Sequence, residues 1–228
     1  MSSGVSLLQR YFPELPLEKQ EKFVLFAELF KVWNEKINLV SRKDIDQFYL
    51  HHLLHSLVIA KFIDFGKGTK VMDIGTGGGL PGLPLAIYFP ETNFYLVDSI
   101  RKKTEAVKEM ANQLSLSNVT VFNKRAEDVS EKVDFVVSRA TAPLSDLVKW
   151  SRGRINSKGK ASIPNGLICL KGGDLTEELK PFENKLFTEN VTAFIQEEFY
   201  KEKKNNLLAF SIKELIISLP PLKRILQH

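Results

Sequence analysis

The sequence predicts an α/β fold: a mostly parallel sheet with helices on both faces, carrying a helical extension at its N-terminal end. Three observations predict it. Before Gly66 the apolar residues recur only at helical spacing. After Gly66 short apolar runs of strand length alternate with amphipathic helical stretches. A loop dense in glycine, "GTGGGLPG" from Gly75 to Gly82, directly follows the first of those runs. Such alternation implies right-handed crossovers, and ligands on these sheets bind at the carboxyl ends of the strands beside the switch point. Residues 1–65 are assigned to the extension and 66–228 to the sheet-bearing domain, the two packing as one unit.

In "LEKQEKFVLFAELFKVWNEKINLV", Phe23, Phe26, Phe30, Trp33 and Ile37 fall three or four apart and share one helical face, a core stripe. A second helix is expected from Asp44, with Phe48, Leu54, Leu57 and Val58 on its apolar stripe. "TKVMDIG" reads as a buried strand and "LPGLPLAIYF" as the helix after it, with Pro84 tolerated in the first turn. "TNFYLVDS" is the second strand, "RKKTEAVKEMANQLSL" an amphipathic helix and "NVTVFNK" the third strand. "DFVVSRA", "APLSDLVKWSRGRI" and "GLICLKGG" continue as strand, helix and strand. Pro181 breaks a helix in "DLTEELKPFENKL" because it lacks an amide donor. "VTAFIQEEFY" and "NNLLAFSIKE" are expected to form an antiparallel strand pair across the polar turn "KEKKNN".

Composition narrows the class. The chain has 228 residues, 43% hydrophobic and 26% charged, enough apolar surface for a real core. Its net charge of +5 permits a polyanionic partner without requiring one. A single cysteine, Cys169, excludes an internal disulfide, and its apolar setting makes it a buried strand thiol. No apolar run approaches the length of a membrane span, and the first residues do not resemble a signal peptide, so a cytoplasmic protein without a membrane is expected. His51, His52 and His55 raise a metal site, but no acid or cysteine nearby supplies a third ligand, and none is expected.

The glycine loop has three readings. A P-loop needs lysine and a hydroxyl after its last glycine, whereas Leu83 and Pro84 follow Gly82. Gly77 to Gly82 matches the dinucleotide pattern G-x-G-x-x-G, with Asp98 placed to bind ribose hydroxyls, although a glycine-rich loop meets that pattern easily. The third reading is D-x-G-x-G-x-G: Asp73, Gly75, Gly77 and Gly79. An acid at the strand end repels a pyrophosphate and favours a ligand with an ammonium and a sulfonium, as in S-adenosylmethionine. The alternative role for Asp73 is to cap the turn. Asp98 ends the second strand, and Ala126–Glu127 follow the third, where an adenine would lie.

Arg139 and Lys171 end the fourth and fifth strand runs. A charge there implies a ligand, or an ion pair; for Arg139 the candidate acids are Asp73 and Glu127. Basic residues cluster in "RKK" after Ile100, in "KR" before Ala126 and in "KWSRGRINSKGK", which has five basic residues and no acid. They border the expected site and suit RNA phosphates; the alternative is solvated helix ends, where Lys and Arg are common.

Together, "NEKINLVS", "MDIGTGGGLPGLPLAI", "LVDSIRKK", "KRAED" and "VVSRATAPL" resemble the bacterial small-subunit ribosomal RNA guanine-N7 methyltransferases, also called glucose-inhibited division protein B. The resemblance runs from about Trp33 to Lys171. It implies a class I, Rossmann-like methyltransferase with a mostly parallel seven-stranded sheet. It implies S-adenosylmethionine as methyl donor, S-adenosylhomocysteine as product, and N7 of one guanosine in 16S ribosomal RNA as acceptor. Naked 16S RNA or the small ribosomal subunit is then the partner, and a monomer is expected. Donor contacts carried over by the resemblance are Gly75, Leu80, Ala126, Glu127 and Arg139, while Arg125, Arg139 and Lys171 match basic positions near the target base or RNA. One departure is His52-Leu53-Leu54-His55-Ser56, where many members have His-x-x-Asp-Ser.

Guanine N7 carries an in-plane lone pair and no proton, so it attacks a methyl group without a general base, and alignment is the protein's task. Missing motifs agree. The Asn/Asp-Pro-Pro-Tyr/Phe loop of amine methylation is replaced by "SRAT", the Pro220-Pro221 pair lacks the aromatic, and the only cysteine lies within a strand. The rivals are a dinucleotide oxidoreductase, a non-catalytic RNA-binding or donor-sensing protein, and a small-molecule methyltransferase.

Overall fold

The computed structural model describes residues 3–139, 142–157, 161, 163–182 and 185–211. The extension comprises α1 (Ser3–Tyr11), α2 (Leu17–Ile37), a 3-10 turn (Ile45–Gln47), a π-helical turn (Tyr49–Leu54) and α3 (His55–Phe62). The predicted second helix is therefore continuous in place but irregular in pitch. Helix α2 ends where Asn38 takes a left-handed conformation, φ 50°. The buried Asn34 side chain accepts the Val40 amide at 2.8 Å and directs the chain away from the helix axis.

The second part alternates as predicted: β1 (Lys70–Ile74), α4 (Gly82–Tyr88), β2 (Asn93–Asp98), α5 (Arg101–Gln113), β3 (Val119–Asn123), β4 (Phe135–Arg139), α6 (Leu144–Ser151) and β5 (Gly166–Lys171). Pro84, inside the first turn of α4, sits where a missing amide costs nothing. The interrupted segment becomes α7 (Thr176–Leu179) and a 3-10 turn starting at Lys180. The described chain closes with β6 (Phe187–Asn190), α8 (Glu198–Lys203) and β7 (Asn206–Ser211).

Among the described residues seven strands hydrogen-bond in the order β3-β2-β1-β4-β5-β7-β6. β1 to β5 are parallel, and β7 runs antiparallel between β5 and β6. The order reverses between β1 and β4, which sets the switch point at the carboxyl end of β1. Strand pleating divides the core. Val71, Phe94, Leu96, Phe135 and Val137 face Phe23, Phe30, Leu57, Leu83 and Met110 of the extension, α4 and α5. Met72, Ile74, Val97, Val136 and Cys169 face the other way, toward Leu144, Leu147 and Val148 of α6. Helices thus cover both faces, and the extension shares one core with the sheet.

One predicted element is corrected. "VTAFIQEEFY" is not a strand; it forms a 3-10 turn (Val191–Ala193) and the first turn of α8, and the strand that pairs with β7 is the preceding "FTEN". Asn190 explains the switch, because its side chain accepts the Thr192 amide at 2.9 Å and turns the chain out of the sheet. Val191, Ile195 and Tyr200 then bury at spacings of four and five rather than in alternation. Among the described residues no helix is long and apolar enough to cross a membrane.

Candidate active site

The loop after β1 folds back on its own sheet. The amides of Gly75 and Thr76 donate to the Val97 carbonyl at 2.9 and 3.0 Å, which ties the loop to the end of β2. Gly77 and Gly79 hold φ of 55° and 90°, conformations that L side chains adopt at a cost. Gly78 has a different reason. An added Cβ would lie 2.7 Å from the Phe30 ring of α2, so the extension presses directly on the loop.

Asp73 supports this loop from below. Its Oδ2 accepts the Thr76 hydroxyl at 2.6 Å and the Gly82 amide at 2.9 Å. An added Cβ at Gly82 would sit 2.8 Å from the same oxygen, so glycine is what lets α4 start that close. Complete burial pushes the Asp73 carboxyl up to about 7. Of its two sequence readings, Asp73 thus follows the turn cap; it does not line the adjoining cavity. Asp98 does line it. Its Oδ2 accepts the Gly77 amide at 3.0 Å and its Oδ1 the Ile100 amide at 2.8 Å.

The cavity measures about 650 Å³ and lies at the carboxyl ends of β1, β2, β3 and β4. Of the residues singled out from sequence, the fold brings Gly75, Gly77, Leu80, Asp98, Arg125, Ala126, Glu127 and Arg139 to its wall. Ala126 opens a short 3-10 turn and is buried, whereas Arg125 and Glu127 are exposed. Lys103, Lys124 and Arg125 make the rim basic.

Arg139 ends β4 inside this space. Its Nη1 lies 3.2 Å from Nδ1 of His52 and donates to the His51 carbonyl at 3.5 Å. Burial lowers the guanidinium to about 10, opposed by the nearby charge of Asp73.

Gly79 and Lys171 are not brought to the cavity. Gly79 is buried beneath the loop against Leu83. Lys171, also buried, donates to the Ala142 carbonyl at 2.8 Å and pairs with Glu178. Glu178 in turn accepts the Leu144 amide, so the Lys171 end of β5 is an ion-paired brace for α6 and α7. Arg154, one of the basic residues expected to face RNA, is likewise occupied by the Val129 and Glu127 carbonyls at 2.8 and 2.7 Å. Ala140 and Thr141 of "SRAT", Lys158, Lys160 and Pro220–Pro221 lie outside the described residues.

Sequence reasoning does not place Leu39, Val40, His52, His55 and Trp150 on the wall, where the fold brings them. Leu39 and Val40 belong to "NEKINLVS", so the motif is visible in sequence while its place is not. The histidines stand out there as a possible metal group and, for His52 and His55, as the stretch that departs from His-x-x-Asp-Ser; neither signal places them on the wall. His51 instead stacks on Phe199, ring centroids 3.8 Å apart, with Nδ1 3.2 Å from Asp44. Among the described residues no group of three or more His, Cys, Asp or Glu side chains is gathered to hold a metal ion.

Known proteins bear on this site. A family model described as rRNA small subunit methyltransferase G matches residues 19–208. The ribosomal RNA small subunit methyltransferase G of Bacteroides fragilis (strain YCH46) is 52% identical over 89% of this chain and 90% of its own. That of Porphyromonas gingivalis (strain W83) is 49% identical over 89% and 92%. Among solved structures, StiE O-MT residues 961–1257 superpose with a TM-score of 0.55 at 14% identity, covering 79% of this chain and 80% of theirs. A precorrin-6y C5,15-methyltransferase from Geobacter metallireducens GS-15 gives 0.50 at 11% identity, covering 77% and 92%. These likenesses show the Rossmann-like methyltransferase fold, and the sequence matches go further: the chain belongs to the rRNA small subunit methyltransferase G family.

Proposed function

We propose that the chain transfers a methyl group from S-adenosylmethionine to N7 of one guanosine in 16S ribosomal RNA. The observation that carries the reading is the cavity wall on which Gly75–Gly78, Asp98 and Ala126–Glu127 meet at three successive strand ends. The wall fits the donor. Each Asp98 oxygen accepts one backbone amide and keeps a lone pair for a ribose hydroxyl. Ala126 offers a small flat surface to an adenine. A Cβ on Gly77 would meet nothing closer than the Gly75 carbonyl at 4.0 Å, so the loop's open side faces ligand space. When bound, the donor supplies a methyl group made electrophilic by its sulfonium.

The chain's own residues align the partners. Guanine N7 bears no proton, so none of them has to remove one. In this reading Arg139, on the same wall, serves the acceptor, and Lys103, Lys124 and Arg125 offer charge to RNA phosphates. Asp73, Gly79 and Lys171 act beneath or beside the cavity by holding the loop and the end of β5 in place. The name of the relatives, a methyltransferase of the small ribosomal subunit's RNA, supports that RNA as the acceptor molecule. A monomer acting without a metal is part of this reading.

The test uses methyl-labelled S-adenosylmethionine with small subunits, and separately naked 16S RNA, from cells lacking the enzyme. Label in 7-methylguanosine at one site is expected. Label in another nucleoside, or none despite bound S-adenosylhomocysteine, overturns the acceptor. Binding of NAD in preference to S-adenosylhomocysteine overturns the donor.

A further inference from the structure

His52 sits in the π-helical turn, 9% exposed, on the cavity wall beside Arg139. Such turns recur at functional sites because they shift side chains out of helical register. The Arg139 contact decides the tautomer. A guanidinium has donors only, so Nδ1 of His52, 3.2 Å from Nη1, must accept. Burial and then the Arg139 charge lower the imidazole to about 3, so the ring is neutral near neutral pH and its one proton is on Nε2. That Nε2–H is closed to water and has no hydrogen-bond partner among the described residues. A buried donor without an acceptor is costly, and its place on a ligand cavity gives it a use.

The chemistry of the acceptor base supplies the missing partner. A purine that presents N7 presents its position-6 group on the same edge: a carbonyl oxygen in guanine, an amine in adenine. We propose that His52 reads this edge, with Nε2–H donating to guanine O6, and thereby selects guanine over adenine. The inference rests on the guanine-N7 reading above. Adenine would set an amine donor against the donors of His52 and Arg139. Because Nε2 is closed to water in the free protein, this contact requires a local shift of the cavity wall when the base binds. His55 completes this side. Its Nε2 is also buried and without a hydrogen-bond partner among the described residues, and burial holds its ring neutral, lowered to about 3. A guanine ring turns cationic on methylation, and neutral imidazoles add no repulsion to the product.

The test replaces the target guanosine, in small subunits assembled on ligated 16S RNA, by inosine or 2-aminopurine. Both keep N7; inosine keeps O6 and 2-aminopurine lacks it. Single-turnover methyl transfer is measured with the wild type and with His52→Asn. The asparagine amide reaches the Nδ1 position that serves Arg139 but not the Nε2 position. The wild type should modify inosine within about threefold of guanosine and lose about tenfold or more on 2-aminopurine. His52→Asn should lose about tenfold on guanosine and nothing further on 2-aminopurine, since both changes remove one contact. Losses that multiply, or a wild type equally fast on 2-aminopurine and guanosine, overturn the inference. If the variant does not fold, the wild-type comparison still tests whether O6 is read, and equal rates on guanosine and 2-aminopurine overturn the inference. If the wild type forms no 7-methylguanosine on the guanosine subunit, it is the proposed function that fails.

Discussion

Two glycines of one loop should fail in different ways when alanine replaces them. Gly77 has φ 55°, and an added Cβ there meets only the Gly75 carbonyl at 4.0 Å. The folded protein should lose about 1–2 kcal/mol, the cost of a left-handed L residue. For a chain of this size that lowers Tm by about 2–8 °C. The new methyl group, however, stands on the cavity wall. A steric cost of about 1.4–3 kcal/mol there weakens donor binding roughly tenfold to more than a hundredfold. Gly79 has φ 90°, and its Cβ would lie 2.5 Å from Cδ1 of Leu83. Backbone strain and overpacking together cost about 2–5 kcal/mol, or about 4–20 °C in Tm. Since Gly79 does not line the cavity, the folded Gly79→Ala protein should keep more donor affinity than Gly77→Ala. Thermal unfolding and calorimetric titration with S-adenosylhomocysteine measure the two quantities on the same samples. Full donor affinity in Gly77→Ala, or a smaller loss of Tm in Gly79→Ala than in Gly77→Ala, refutes the reasoning.

Three further outcomes are expected. Lys171→Met should cost about 2–4 kcal/mol in denaturant unfolding, because it leaves the partly buried Glu178 without its partner, and should leave S-adenosylhomocysteine affinity unchanged. Unchanged stability with lost donor binding would return Lys171 to the cavity. Burial lowers the folded-state pKa of His55 to about 3, so its contribution to stability is present above the ordinary histidine value and is lost as pH falls from about 6.5 toward 3. His55→Leu should flatten that acid limb in urea unfolding at stepped pH, and an unaltered limb contradicts the burial. Burial also pushes the Cys169 thiol up to about 12, so iodoacetamide at pH 8 should label it only after unfolding; fast labelling of native protein would oppose this placement.

Sequence reading succeeds where one short segment carries its own physics. Apolar runs such as "GLICLK" show a doubly covered strand, and all six of these residues are buried. Glycine density marks the loop, and the acid ending β2 marks the wall. It stops where the outcome depends on direction. Asp73 and Lys171 end or nearly end strands, as Arg139 does, yet the first caps a turn and the second pairs with Glu178, while only Arg139 enters the cavity. Strand position gives the depth of such a residue; the pleat and the neighbouring helices decide which way it points. "VTAFIQEEFY" misleads because β-branched and aromatic residues suit strands, whereas the Asn190 side chain, accepting from the Thr192 amide and hydroxyl, decides the turn. His52 is hidden for a further reason: the π-helical turn breaks the helical period from which its face would be read.

The close approach of Phe30 to Gly78 makes α2 and the donor loop thermodynamic partners. If a ligand orders the loop, the same free energy tightens the hold on α2, and whatever loosens α2 weakens the ligand to the same degree. Trimming the chain ahead of the sheet would therefore remove more than a cover. It would take away the back wall against which the loop is pressed, and a protease digest should show the first helices protected when S-adenosylhomocysteine is present.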